Sequence, residues 1–400
     1  MLFVGRILSA FCAIGAFVSQ FAAPATAEER IGIGVIAPLS GLFAPLGESL
    51  VQGARAAAER LNASHGIMDK RIEIISFDDA GSPPRAVEQA RRAVESERLQ
   101  FVIGHLTQAT SVAASRVYAE RKVLQIEPRG SRMPSDAPGG ETLFNLCGAE
   151  GTSAEVAKKY LAKRFNADAV GIVGEDDNIS RSVSSHLSDA FKKAGNKVVA
   201  SESTDTKSIL SGINRIEAQG AKAAIVNLLP NVSYTSKLTD VSNASTKIPV
   251  IVDVPASVTP GYVPLGGASS VSSWLFLLQE VDQSVGIAQP PPDLARFRAQ
   301  SVYASNSFLL GYAGVQVIAK GAEEARSFDS IRVAAWLRSG RAAPTILGDV
   351  NFDGVGQGSI SRFAIYGFGR GSLRPDGTEV TCDSGCPCKD GGCGCACPKK

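Results

Sequence analysis

The chain is poor in the residues from which enzymes build their common reaction centres. It holds 3 histidines in 400 residues, His65, His105 and His186, so imidazole has few places from which to act as a general base. His65 falls in a turn beside Gly66, His105 follows an apolar run, and His186 lies one position off an apolar helical stripe; structural or solvated roles fit each of them. There is no Gly-x-Ser-x-Gly nucleophile turn and no His-Glu-x-x-His pair. Carboxylate clusters do occur at the ends of strand-like segments, as Asp78-Asp79 and Glu175-Asp176-Asp177, where acid and base groups could stand. The expectation from these residue types is a protein that is not an enzyme.

Charge of one sign is lacking too. The 41 basic and 39 acidic side chains leave a net +2, without the strongly basic surface that nucleic acid requires, and nucleic acid is not an expected partner. Beyond the first 27 residues no uncharged stretch reaches the length of about 20 residues that a membrane span needs. Those first residues, MLFVGRILSAFCAIGAFVSQFAAPATA, carry Arg6, an apolar run from Ile7 to Val18 and the small residues Ala25-Thr26-Ala27. They read as a secretory signal peptide cut after Ala27; the run is short for an anchor, and Cys12 follows Phe11 where a lipoprotein site prefers a small residue. The mature chain is expected to begin at Glu28 in an exported compartment where disulfides persist.

What is present is a regular alternation. IGIGVIAPL, RIEIISFDD, FVIGH and VLQIEP read as buried strands. Between them Leu46 to Asn62, a helix entered through Ser82-Pro83-Pro84, and Ala109 to Arg121 carry apolar residues at helical spacing. A second block follows. Thr152 with Glu155 predicts a capping box, AVGIVG a strand, and Ile179, Val183, Leu187 and Phe191 a helical stripe. KVVAS, a helix near Ile209 to Gln219, AAIVNLL, a helix over Val232 to Val241 and PVIVDV continue it. SSWLFLLQ is a further strand, with helices over Asp293 to Ala299, Ser307 to Ala322 and Phe328 to Arg338. GDVNFDGVGQGSISRFAIYGF reads as two strands joined by a glycine-rich turn, after which periodicity fades at Tyr366. The glycines from Gly354 to Gly358 do not form a phosphate loop, because strand rather than helix follows them; a turn with positive φ explains them. Such βαβ alternation predicts an α/β protein with mostly parallel sheets covered by helices on both faces, and the length divides it into two lobes.

Several ordered matches now converge. They are Pro38-Leu39-Ser40-Gly41, Gly53-Ala54, Asp78-Asp79, Ala86-Val87, Val102-Ile103-Gly104-His105-Leu106, and Gly348 with Phe352-Asp353 and Gly356. In this order the sequence resembles the type I periplasmic solute-binding proteins of ABC transporters, in particular the branched-chain amino acid group. The resemblance implies a two-lobed type I fold with three hinge crossings, residues 28–147 with 277–352 forming one lobe and 148–276 with 353–380 the other. It implies a periplasmic monomer that closes on a small amino-acid-like or organic-acid ligand and is read by ABC permease subunits in the inner membrane, with no cofactor required. A ligand sensor, or an accessory protein of a redox system, is the alternative on the same scaffold. The physics of open sheets places ligand contacts in the turns after Gly104, Ile126, Val173 and Val252.

The resemblance also implies site residues. The ligand carboxylate would meet Gln108, Ala109 and Thr110, and a hydroxyl after the next strand would be Ser131. Arg129 adds a cation, either to pair with an anionic ligand or as a solvated loop charge. Leu46 and Ile179 stand where the family often has tyrosines, and Asp253 is the acidic residue nearest the ligand's ammonium. The family commonly joins two turns of the first lobe by a disulfide; here those places hold Gly81 and Thr107. Cys147 is then alone in the body, expected as a small buried residue near a crossing, with pairing to a tail cysteine as the alternative.

The tail, CDSGCPCKDGGCGCACPKK, places Cys382, Cys386, Cys388, Cys393, Cys395 and Cys397 beyond the region of resemblance. Repeated Cys-x-Cys spacing suits Zn or Cu(I) on thiolates. The same six cysteines can instead form three disulfides in an oxidising compartment, or the tail can be an unstructured remnant, and these readings stay open.

Overall fold

Strand β1 (Arg30–Ala37) shows why helices are needed on both sides of its sheet. Ile33, Val35 and Ala37 enter one hydrophobic cluster and Ile36 another, none with exposed surface, as in a parallel sheet covered on both faces. The computed structural model describes residues 29–41, 43–128, 140–147, 150–176, 178–204, 209–227, 246–253, 274–279, 287, 290–300, 302–360, 363–369 and 372–375. After β1 come α1 (Ala44–Asn62), β2 (Arg71–Asp78), α2 (Pro83–Arg91) with a π-helical extension over Arg92–Ser96, β3 (Phe101–Gly104), α3 (Gln108–Glu120), β4 (Leu124–Glu127) and β5 (Leu143–Cys147). Ser82 is the N-cap of α2, with prolines opening the helix, although its side chain makes no capping bond.

The second block runs α4 (Glu150–Phe165), β6 (Ala169–Glu175), α5 (Asn178–Lys193), β7 (Lys197–Thr204), α6 (Ile209–Ala218), β8 (Ala223–Asn227), β9 (Val250–Asp253) and β10 (Trp274–Gln279). Leu187 and Phe191 of the α5 stripe pack with Val156, Tyr160 and Leu161 of α4 and with Val170, Ile172 and Ile225 on one sheet face. Ile209, Ile213 and Ile216 of α6 join Val173, Val226 and Val250 in a separate cluster. The last stretch gives α7 (Leu294–Gln300), α8 (Val302–Ala325), α9 (Ser330–Leu337), a hairpin of β11 (Ala343–Thr345) and β12 (Gly348–Val350), then β13 (Gln357–Ile360), β14 (Phe363–Gly369) and β15 (Ser372–Pro375).

The first sheet has the order β13-β5-β4-β3-β1-β2, every pair parallel. In the second, ordered β15-β14-β10-β9-β8-β6-β7, the strands from β10 to β7 are parallel while β14 and β15 run antiparallel. The chain leaves the first sheet after β5, returns after β10 and leaves again after β13, so the expected two-lobed architecture is present.

Four sequence readings are corrected. The lobe exchange expected at 276/277 cuts through β10, which stays in the second sheet to Gln279, and the one expected at 352/353 precedes β13, which pairs with β5 in the first sheet. The run read as two strands joined by a glycine-rich turn forms three: β12, which pairs with β11, β13, which pairs with β5, and β14, which pairs with β10 in the second sheet. Thr152 is not a cap, because α4 already begins at Glu150. Beyond Tyr366, where periodicity faded, β14 continues and β15 pairs with it. The helix read over Val232 to Val241 lies outside the described residues.

The junction of β5 and β13 is held by Arg338. Its guanidinium donates to the carbonyls of Gly354 (2.8 Å), Glu141 (3.1 Å), Leu143 (3.2 Å) and Gly140, and it stacks 4.8 Å from the centroid of the Phe144 ring. Burial lowers its pKa, opposed by the charges of Asp353 and Glu141. Gly356 takes φ +83° in the turn that brings β13 alongside, and a side chain on Gly358 would collide with the Leu146 carbonyl.

Arg338→Met is expected to cost about 1–2 kcal/mol, the loss of charged hydrogen bonds to four carbonyls, of which that of Leu143 is part-buried, and of the contact with the Phe144 ring. Arg116→Met, which removes an exposed i,i+4 pair with Glu120, is expected to stay within about 0.5 kcal/mol. Urea midpoints of the two variants check the contrast.

Candidate functional site

Strand order reverses between β1 and β3 in the first sheet and between β6 and β8 in the second. At such switch points the carboxyl ends of the strands open a crevice that receives ligands. On the first lobe the crevice is bordered by the turns after β1, β2 and β3.

The turn after β1 is fixed by Asp78. Its Oδ1 accepts the N–H groups of Leu39 (2.8 Å), Ser40 (3.2 Å) and Ala80 (2.8 Å), and its Oδ2 accepts the Ser40 hydroxyl (2.6 Å), with Arg85 at 3.5 Å. Burial works to raise the Asp78 pKa, but the bonds from Ser40, Leu39 and Ala80 and the Arg85 charge outweigh it, leaving the carboxyl below its ordinary value. From the other side, Gly47 lets α1 approach: a Cβ there would collide with the Pro38 carbonyl. The sequence Pro38-Leu39-Ser40-Gly41 thus has a physical reason to accompany Asp78.

After β3 comes the N-terminus of α3. Thr107 is its N-cap, accepting the Thr110 N–H at 3.2 Å while the Thr107 N–H donates to Thr110 Oγ1 at 3.3 Å. The Thr107 carbonyl takes the Ser111 N–H and the Thr110 hydroxyl. The first two helical N–H groups, those of Gln108 and Ala109, are the ones this cap leaves for an anion. Thr110 is buried and its hydroxyl bonds the Thr107 carbonyl, which shapes the helix end.

Behind that helix end lies a chain the sequence did not reveal. Asp79 Oδ2 lies 2.6 Å from His105 Nδ1, and His105 Nε2 lies 3.0 Å from the Tyr118 hydroxyl. Asp79 and His105 have no exposed surface and Tyr118 is 1% exposed. Asp79 Oδ1 also accepts the Gly81 N–H at 2.8 Å, and the His105 N–H donates to Ser111 Oγ at 3.3 Å. Gln125, buried on β4, donates to the Gly104 carbonyl at 2.9 Å. Burial, then the charge of Asp79, pushes the Tyr118 phenol well above its ordinary pKa.

Other expected site residues fare differently. Leu46 has no exposed surface and belongs to the core of the first lobe; it presents nothing to a cleft in this conformation, because α1 turns it inward. Arg129 and Ser131 lie outside the described residues, as do all six tail cysteines. Ile179 is the second residue of α5 and Asp253 the last of β9, their side chains undescribed. Asp253 is paired in register with Asn227, the last residue of β8. Asn227 is buried, and its amide donates to the Ser180 carbonyl (3.3 Å) and Ser184 Oγ (3.4 Å), tying the switch point of the second lobe to α5. An Asn inside the apolar run AAIVNLL was the sequence mark of it. Cys147 ends β5 buried, its Sγ 3.2 Å from the Pro128 carbonyl. Among the described residues no group of three metal-ligating side chains converges.

Comparison with known proteins gives three kinds of match. A family model described as periplasmic binding protein matches residues 30–367. The Leu/Ile/Val-binding protein homolog 3 of Brucella melitensis is 26% identical over 369 residues, covering 90% of this chain and 96% of its own. In fold, a leucine binding protein from Thermotoga maritima aligns with TM-score 0.69 at 19% identity, over 88% of this chain and 98% of its own. A solute binding protein from R. palustris in complex with benzoate aligns with TM-score 0.62 at 16% identity, over 87% and 96%.

Asp78→Asn is expected to lower the thermal midpoint at neutral pH. Because the folded-state pKa is depressed, the stabilisation is complete above the ordinary carboxyl value of about 3.9 and is lost as pH falls through the lower folded value. Thermal midpoints of the two proteins should therefore converge as pH is taken from about 7 to about 2. A gap that persists at the acid end would place the effect in packing instead.

Proposed function

The chain belongs to the periplasmic binding protein family, and on that premise we propose that it is the exported substrate-binding subunit of an ABC-type importer, closing its two lobes on a branched-chain amino acid or a related small carboxylate. The observation that carries the reading is the capped N-terminus of α3 at the switch point of the first sheet, with the Gln108 and Ala109 N–H groups left by the cap for a carboxylate. Asp253, beside Asn227 at the carboxyl edge of the second sheet, is the candidate for an ammonium group. The name of the Brucella melitensis relative supports an amino acid, and the benzoate complex supports testing carboxylates that lack an amino group.

Ligand contacts made by both lobes favour the closed form, and closure is worth the difference in affinity between the open and closed states. A permease in the inner membrane would read that closed shape. The signal-like first 27 residues support a periplasmic site of action. A sensor would use the same cleft and differ in what reads it; the six tail cysteines, as thiolate ligands or as disulfides, are the feature that favours an added role.

A thermal-shift series on the mature protein tests the reading, with L-leucine, L-isoleucine, L-valine and benzoate as probes. A true ligand at about 100 times its Kd adds about 2.7 kcal/mol to stability. No shift with any of the four would overturn the ligand class. The same series on a chain ending at Pro375 should give the same affinity, and loss of binding there would move the tail into the site.

A further inference from the structure

We infer that the buried Asp79–His105–Tyr118 chain is the positioning device for the ligand-receiving end of α3, so that a side chain on the last turn of that helix controls affinity at its first turn. The inference rests on the functional reading above and adds residues to it.

Three facts carry it. First, the chain joins three separate pieces of backbone: Asp79 belongs to the turn after β2, His105 follows directly on β3, and Tyr118 lies in the last turn of α3. Second, it is sealed, with none of the three side chains more than 1% exposed, so its bonds do not exchange with solvent. Third, it bears on the helix end from both directions. The His105 backbone N–H donates to Ser111 Oγ in the first turn of α3 (3.3 Å), while its ring nitrogen Nε2 engages Tyr118, in the last turn of the same helix. From Gln108 to Tyr118 the helix rises about 15 Å, too far for the phenol to touch a ligand at the N-terminus. A phenol that holds its proton, as burial makes Tyr118 do, has a hydrogen to give to Nε2.

The geometry makes His105 the fixed point. Its backbone sits two residues before the cap Thr107, so a shift of the imidazole shifts the cap and the N–H groups of Gln108 and Ala109 with it. Asp79 is anchored in turn by the Gly81 N–H at 2.8 Å. Groups that grip a ligand must be held by partners of their own if their geometry is to survive. Here the partners are two side chains remote in sequence, 26 and 13 positions from His105.

The test uses the mature protein, with Tyr118→Phe, His105→Phe and the double variant, and Val333→Ala as a control that loosens a buried contact in α9 away from the cleft. L-leucine is the probe, by isothermal titration. Tyr118→Phe is expected to weaken binding about tenfold, the weight of one buried hydrogen bond left unmade, while Val333→Ala lowers the thermal midpoint and keeps the affinity. Adding Tyr118→Phe to His105→Phe should weaken binding no further, because the bond is already gone. Losses that multiply, or a Tyr118→Phe affinity equal to wild type, would overturn the inference. Hydrogen exchange of the ligand-free proteins decides without a ligand: amides from His105 to Ser111 should exchange faster in Tyr118→Phe than in wild type, with the α1 amides unchanged. Wild type that ignores L-leucine would overturn leucine as the ligand and not the positioning role, which unchanged exchange over His105 to Ser111 would overturn by itself.

Discussion

The parallel pairing of β13 with β5 is the contact on which the two-lobed arrangement depends. β5 is the last strand of the first pass through the first sheet and β13 the last to enter it. With them side by side, two of the exchanges between sheets leave from one sheet edge, β5 into α4 and β13 into β14. Arg338 holds the opposite end of that pair through carbonyls on both segments and the face of Phe144. The strands are thus pinned at their entry and released towards the second lobe at their exit. The proposed closure needs that asymmetry, since a hinge acts where the chain crosses between lobes.

Two adjacent carboxylates organise the rim of the first lobe. Successive residues leaving a strand point to opposite sides, and Asp78 and Asp79 use the alternation for different work. Asp78, partly exposed, gathers the turn after β1. Asp79, buried, reaches His105 and through it α3. Together they connect the turns after β1, β2 and β3, the border of the switch-point crevice. A charge sealed from water is costly unless paired and hydrogen-bonded, and Asp79 has both a ring nitrogen and a backbone N–H. The same rule explains Asn227 across the cleft, where a buried amide in an apolar strand is satisfied by α5.

Much of the architecture was legible because it is periodic. Apolar runs of five to nine residues between amphipathic stretches fix parallel strands and covering helices with no knowledge of partners, and Leu187 and Phe191 of α5 pack where their spacing put them. Sheet membership was not legible in the same way. Nothing local to Gln357–Ile360 says that its partner is β5 rather than the strand before it; that is settled by a turn and by Arg338, both distant in sequence. The candidate site divides similarly. Asp78-Asp79 and Gly104-His105 stood out as matches, but the pairing of Asp79 with His105 is a tertiary fact, and Tyr118 looked like any aromatic on a buried helix face. Leu46, named from a family position, lies buried in the core of its own lobe, a fact that the resemblance alone did not carry.

The two positions at which the family resemblance would place a disulfide make the same point from the chemical side. Gly81 gives its N–H to Asp79, and Thr107 caps α3. Both turns are therefore held, but by hydrogen bonds that converge through His105 rather than by a covalent bridge. A cross-link would act largely by restricting the unfolded chain. A buried polar chain acts in the folded state alone, and it does so directionally: each bond fixes an angle as well as a distance. For a helix end that must aim two N–H groups at a carboxylate, direction is the property that matters. Among the described residues the rim of the first lobe is thus held by directed hydrogen bonds and packing, through Asp78, Asp79 and His105.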